Sequence, residues 1–157
     1  IRDLTLNLKG NTLVLFQFVE KHGNVLHKMI DDATDRRVFY VYGGTDTETR
    51  EQIRAITETE QSAIIVASYG TFSTGINIRN LHNIVFSSPS KSRVRTLQSI
   101  GRGLRKGDNK EEATLFDLAD DLTHKSKRNF TLGHFLERIS IYNEEQFDYE
   151  ITRIKLK

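Results

Sequence analysis

The chain is expected to fold as an α/β protein, a parallel sheet flanked by helices. Five short apolar runs recur, at 12–18, 37–42, 62–67, 83–87 and 113–117. Several of the stretches between them carry apolar residues at helical spacing. Glycine and small polar residues gather just after the runs, at the strand ends where parallel sheets hold ligands.

The first run, Thr12-Leu13-Val14-Leu15-Phe16-Gln17-Phe18, reads as a strand buried on both faces. Val25, Leu26, Met29 and Ile30 then repeat with helical period. Arg37 to Tyr42 is a second strand, stopped by Gly43-Gly44. Thr45 and Glu48 stand three apart, the spacing of a capping box, ahead of a helix through Ile53 and Ile56. Ser62 to Ala67 is a third strand, followed by a loop of Ser, Gly and Thr as far as Asn77. Asn83 to Ser87 is a fourth. A helix from about Ser92 to Leu104 follows Pro89, the lone proline, and Ala113 to Asp117 is a fifth strand. Such alternation implies right-handed βαβ crossovers with helices on both faces. In the tail, Phe130, Leu132, Phe135, Leu136, Ile139 and Tyr142 mark a last helix, and Phe147, Tyr149 and Ile151 alternate as a strand. The expectation is one domain over 1–157, with a core of about 11–120 and a short α+β C-terminal extension of about 121–157.

Composition narrows the chemistry. Hydrophobic residues make up 37% of the 157 positions and charged residues 28%, with no cysteine. Disulfide scaffolds, zinc knuckles, iron–sulfur ligation and thiol catalysis are excluded. The five histidines lack metal-ligand spacing. No apolar run approaches the ~20 residues of a membrane span, so no membrane partner is expected and a cytoplasmic location fits. The chain opens at Ile1 and its single methionine is Met29, which reads as a piece of something longer.

Charge is distributed unevenly around a net +2. Between Lys91 and Lys110 there are seven basic residues against one acid, Asp108. Within this stretch lies Gln98-Ser99-Ile100-Gly101-Arg102-Gly103-Leu104-Arg105. On a helix Gln98, Arg102 and Arg105 share one stripe, while Val94, Leu97, Ile100 and Leu104 form another. One stripe can anchor the helix while the other presents two guanidiniums, whose fork suits phosphate oxygens. Gly101 and Gly103 weaken a helix and make sense where another surface approaches closely. The bland alternative is a solvated basic face. The loop Ser68 to Ile78 exposes hydroxyls and backbone N–H groups that can meet phosphate, and Asn77 could hold a ribose hydroxyl; an ordinary turn is the alternative. Gly43-Gly44-Thr45 is a further phosphate candidate, or simply a turn. There is no G-x-x-x-x-G-K-[ST] loop and no clear acidic pair for Mg²⁺, so this chain alone is not expected to hydrolyse a nucleotide.

In order and spacing these segments resemble the C-terminal RecA-like motor domain of superfamily 2 helicases. Gln98 to Arg105 is similar to motif VI and Ser68 to Ile78 to motif V. Leu13 to Gln17 resembles motif IV, and Tyr42-Gly43-Gly44 the short motif after the next strand. Arg138 and Tyr142 also stand where that motor type ends. Ser99 replaces an arginine common in relatives, and the loop from Ser68 to Gly75 is one residue longer than the usual form. The resemblance implies an N-terminal RecA-like partner domain carrying the P-loop and holding most of the Mg²⁺, with ATP in the cleft between the two. Arg102 and Arg105 would be arginine fingers, and Gln98 would position the phosphate or the attacking water. Gly75 and Asn77 would line the nucleotide. Ser68, Thr71, Gln17, Phe18 and Gly44 would touch the nucleic-acid backbone. The similarity is strongest to recombination helicases, which implies branched DNA and R-loops, RNA–DNA hybrids included, as substrates in recombination, repair and replication. The rival readings are a stand-alone α/β nucleic-acid-binding module without ATP coupling, and a duplex translocase of the same superfamily.

Overall fold

The computed structural model describes residues 1–73, 78–88, 113–125 and 127–155. They form two compact units, Ile1–Leu118 and Ala119–Lys157.

The first unit is built on a fully parallel sheet. Its strands are β1 (Thr12–Phe16), β2 (Val38–Val41), β3 (Ile64–Ser68), β4 (Asn83–Phe86) and β5 (Thr114–Asp117), in the order β2-β3-β1-β4-β5. All five expected strands are present. Register aligns Phe16 with Ser68, Leu15 with Phe86, Val41 with Ala67, and Phe86 with Asp117. The carboxyl ends therefore stand side by side along one edge, successive strands about 4.8 Å apart.

Continuous apolar runs put β1, β3 and β4 in the middle, buried on both faces. Val14, Phe16, Ile64, Val66 and Val85 share one face with Leu26 and Ile30 of α2 (Asn24–Asp31). Leu4 and Leu6 of α1 (Arg2–Asn7) pack against that cluster. Leu13, Leu15, Ile65, Ala67 and Phe86 alternate onto the opposite face and are equally buried. α3 (Thr47–Thr59) contributes buried Ile53 and Thr57.

Three local features depart from the sequence expectation. The N-cap of α3 is Asp46, whose carboxylate accepts from Thr49 N at 2.8 Å, whereas Thr45 closes the preceding turn by accepting from Tyr42 N at 3.1 Å. The N-cap therefore lies one residue later than expected, with Thr49 Oγ1 also donating to the Asp46 carboxylate, because the Gly43-Gly44 turn takes Thr45 for itself. Between β1 and α2, residues Val19–Gly23 form a wide turn in which Gly23 N donates to Phe18 O at 2.8 Å. The loop after β3 begins as a short helix, α4 (Tyr69–Ser73). The expected helix of 92–104 lies outside the described residues.

In the second unit Asn129 precedes α5 (Phe130–Glu144) and binds Asp120 O at 2.8 Å through its amide. Gln146 adopts a left-handed φ of 57° after the helix, and Phe147 N returns to Tyr142 O at 2.9 Å. The strand expected at 147–151 is not formed. The reversal folds Phe147 and Tyr149 back onto Tyr142, at ring distances of 6.4 and 6.0 Å. No helix among the described residues is long and apolar enough to cross a membrane.

Candidate nucleic-acid and nucleotide edge

The site candidates that the structure describes sit on the carboxyl edge of the sheet. Gln17 and Phe18 follow β1, Gly44 follows β2, Ser68 ends β3 and Thr71 lies in α4. Parallel register brings them into one row. Gln98, Arg102, Arg105, Gly75 and Asn77 lie outside the described residues.

Each candidate has a distinct setting. Phe18 is 64% exposed, although its own backbone is fixed: its carbonyl accepts from His22 N at 3.1 Å as well as from Gly23 N. Gln17 is exposed, and its N–H donates to Ser88 Oγ at 3.3 Å. Gly44 is exposed in a turn that Arg50 clamps by donating to Gly43 O at 3.2 Å and to Tyr42 O at 3.4 Å. Ser68 and Thr71 are buried, and their hydroxyls meet each other at 2.7 Å. Thr71 N also approaches Ser68 Oγ at 3.4 Å, so Ser68 ties down the first turn of α4. A phosphate reaching these hydroxyls has to share them with that bond.

Beneath the row lies a network absent from the sequence expectation. Ser88, buried just after β4, meets His22 Nδ1 at 2.8 Å and Gln17 N through Oγ, while its carbonyl accepts from Tyr69 OH at 3.2 Å. Tyr69 packs edge-on against Phe86 at 5.6 Å. Neighbouring Ser87 donates to Leu15 O at 2.7 Å. Burial pushes the His22 imidazole below its ordinary pKa, which favours a neutral ring able to accept from the Ser88 hydroxyl. A Ser before Pro and a His four residues after Phe18 carry no spacing signal. Only the sheet order, which places β4 beside β1, brings them together. Arg50 escaped notice for the same reason, as one charge on a solvated helix.

The described residues contain no group of three His, Asp or Glu side chains that could hold a metal ion. Among the described residues, what the edge offers is hydrogen bonding from small polar side chains and backbone, together with the exposed rings of Phe18 and Tyr42. That chemistry suits contact with a sugar–phosphate chain more than bond-making.

The helicase conserved C-terminal domain pattern matches residues 1–107. The chain belongs to the helicase C-terminal domain family. This helicase domain is 40% identical over 156 residues to the ATP-dependent DNA helicase uvsW of Enterobacteria phage T4, covering 93% of the chain but 31% of the relative. It thus spans about a third of that relative's length. The crystal structure of T4 UvsW superposes with a TM-score of 0.72, covering 92% of this chain and 31% of that one. A SWI2/SNF2 ATPase core domain from Sulfolobus solfataricus reaches 0.60 at 14% identity, over 88% of this chain and 26% of its own. The C-terminal part of the Fun30 ATPase domain reaches 0.58 at 17% identity, over 85% and 48%. At those identities the last two share the fold alone. The helicase domain has the expected α/β, RecA-like architecture, a parallel five-stranded sheet with flanking helices.

Proposed function

We propose that this chain is the second motor half of an ATP-dependent DNA helicase, paired with an N-terminal RecA-like domain of the same protein. The observation that carries the reading is 40% identity, over 93% of the chain, to a protein described as an ATP-dependent DNA helicase. In support, the carboxyl edge exposes the Gln17 side chain, the Phe18 ring and the Gly44 backbone, groups that can touch a sugar–phosphate chain without reading bases.

The division of labour follows from the residues. Gln17, Phe18 and Gly44 meet the nucleic acid from the exposed edge, with the α4 loop of Ser68 and Thr71 beside them. Gly75 and Asn77 line ATP. Arg102 and Arg105 bring positive charge to the γ-phosphate, and Gln98 orients the phosphate or the attacking water. ATP is the substrate, its γ-phosphoryl passing to water. Mg²⁺ is held mainly by the N-terminal domain. Fingers delivered from a second lobe act only when the cleft is closed, which couples closure to hydrolysis and opening to release. Branched DNA and R-loops are the proposed substrates, in recombination, repair and replication. The 157-residue chain without its partner is inactive.

The test is made in the intact two-domain protein. Arg102→Ala and Arg105→Ala should each lower ATP turnover by about 10³-fold or more, with DNA affinity largely retained. Near-normal turnover in both variants removes the finger assignment. Strand displacement on forked DNA and R-loops, set beside triplex displacement on linear duplex, separates a helicase from a duplex translocase.

A further inference from the structure

Ser88 is where three edge loops meet. Its Oγ receives Gln17 N from the loop after β1 and pairs with His22 of the wide turn that closes that loop. Its carbonyl receives Tyr69 OH from the helix that follows β3. Ser88 itself is the exit of β4, and it is 6% exposed, so water competes weakly for these bonds. In sequence the chain runs from Ser88 through Pro89 into the stretch that bears Gln98, Arg102 and Arg105. A residue before proline is biased toward extended conformations, which narrows the torsional range open to Ser88.

We propose that Ser88 is a positioning residue that ties the nucleic-acid edge at Gln17 and Phe18 to the segment carrying the finger arginines. The inference rests on the motor reading above. A nucleic-acid strand that presses on Gln17 or Phe18 moves a backbone bonded to Ser88. Unless those bonds break, Ser88 moves with it, and Ser88 is joined in sequence through Pro89 to the arginine-bearing stretch. Tyr69 anchors the same residue to the loop after β3, so both halves of the edge report to one point.

The experiment measures ATP turnover without DNA and at saturating single-stranded DNA, together with DNA affinity, all in the intact protein. Ser88→Ala deletes the hydroxyl and leaves the carbonyl bond to Tyr69. DNA-free turnover should stay within about twofold and DNA affinity within about threefold, while DNA-stimulated turnover falls about tenfold, the scale of one or two buried hydrogen bonds. Ser88→Thr, which keeps the hydroxyl, should recover most of the stimulation. Tyr69→Phe deletes the other bond, should also reduce stimulation, and carries the test if Ser88→Ala does not fold. An unchanged stimulation ratio in both deletion variants overturns the proposal. So does an equal fall in DNA-free and stimulated turnover, which marks a merely structural role. A parent protein whose turnover ignores DNA refutes the motor reading itself, before any variant is made.

Discussion

Gly23 has no room for a side chain. A Cβ built there stands 2.4 Å from Phe16 Cε2 and 2.7 Å from Tyr40 OH. Phe16 is fully buried and stacks on Tyr40 at 5.6 Å, so the ring cannot swing aside. Gly23→Ala should therefore cost about 1–3 kcal/mol, read as a shift in denaturant midpoint. Gly44 is the contrasting case. A Cβ there meets Tyr42 Cε2 at 2.7 Å, but that ring, tilted on Tyr40 at 5.3 Å, is 36% exposed and has solvent to yield into. Gly44→Ala should leave stability nearly unchanged while weakening DNA binding, because an added methyl obstructs the approach of a strand; unaltered affinity would remove Gly44 from the proposed interface. His22 gives a residue-scale pH dependence. Its folded pKa lies below the ordinary 6.5 through burial, so the unfolded chain binds more protons between the two values. Stability is then full above 6.5 and declines as pH falls toward the folded value. Thermal unfolding of the 157-residue chain between about pH 7.5 and about pH 5.5 should show this loss, and His22→Gln should flatten the slope. Asp46, Glu51 and Asp121, whose carboxyls are lowered by hydrogen bonds from Thr49, Arg54 and Thr123, lose their contributions only near and below the carboxylate range, which separates the two effects.

Among the elements, the start of β1 depends on one amide. Asn11 Nδ2 donates to Thr57 O at 3.0 Å, Glu60 O at 2.8 Å and Asn80 O at 2.8 Å, while Oδ1 accepts from Ala63 N at 2.8 Å. The side chain is fully buried and joins the end of α3 and the approaches to β3 and β4. Asn11→Leu strips Asn80 O and Ala63 N of this partner, while Asn80 Nδ2 still reaches Thr57 O at 3.2 Å and Glu60 O at 2.9 Å, and it should cost at least about 2 kcal/mol, since each buried unsatisfied group costs about 1–3. Nothing in the sequence around Gly10-Asn11 announces this role, because its partners lie 46 to 69 residues away. The strands were legible for the opposite reason. Leu13 to Phe16, Ile64 to Ala67 and Ile84 to Phe86 are local apolar runs whose burial on both faces leaves its mark in composition. The edge candidates were legible through glycine and hydroxyl clustering after those runs. Their settings were not: the hydroxyl pair of Ser68 and Thr71 requires α4, and five residues of Tyr-Gly-Thr-Phe-Ser carry no helical period. α1 is missed for a similar reason, since six residues are too few to display an amphipathic repeat.

For the whole molecule the decisive quantity is how the arginines divide between DNA and ATP. The proposed DNA contacts Gln17, Phe18, Gly44, Ser68 and Thr71 are all uncharged. They release no counterions, so they can position a strand without adding to the salt dependence of binding. That dependence has to come from cations, and seven lie between Lys91 and Lys110. Binding that neutralises about four phosphates of a single strand gives a slope near −3 in log K against log salt. A finger arginine faces the nucleotide and contributes nothing to that slope; a DNA-gripping arginine contributes about one unit when removed. Arg102→Ala in the intact protein should therefore abolish most ATP turnover and leave the salt slope unchanged, whereas Gln17→Ala should weaken binding at every salt concentration by a constant factor. The measurement is a titration of labelled single-stranded DNA at several salt concentrations for the parent and both variants. A slope lowered by about one unit in Arg102→Ala, with turnover spared, would place that guanidinium on the DNA backbone, and the basic stripe would then be a grip on nucleic acid with no part in hydrolysis.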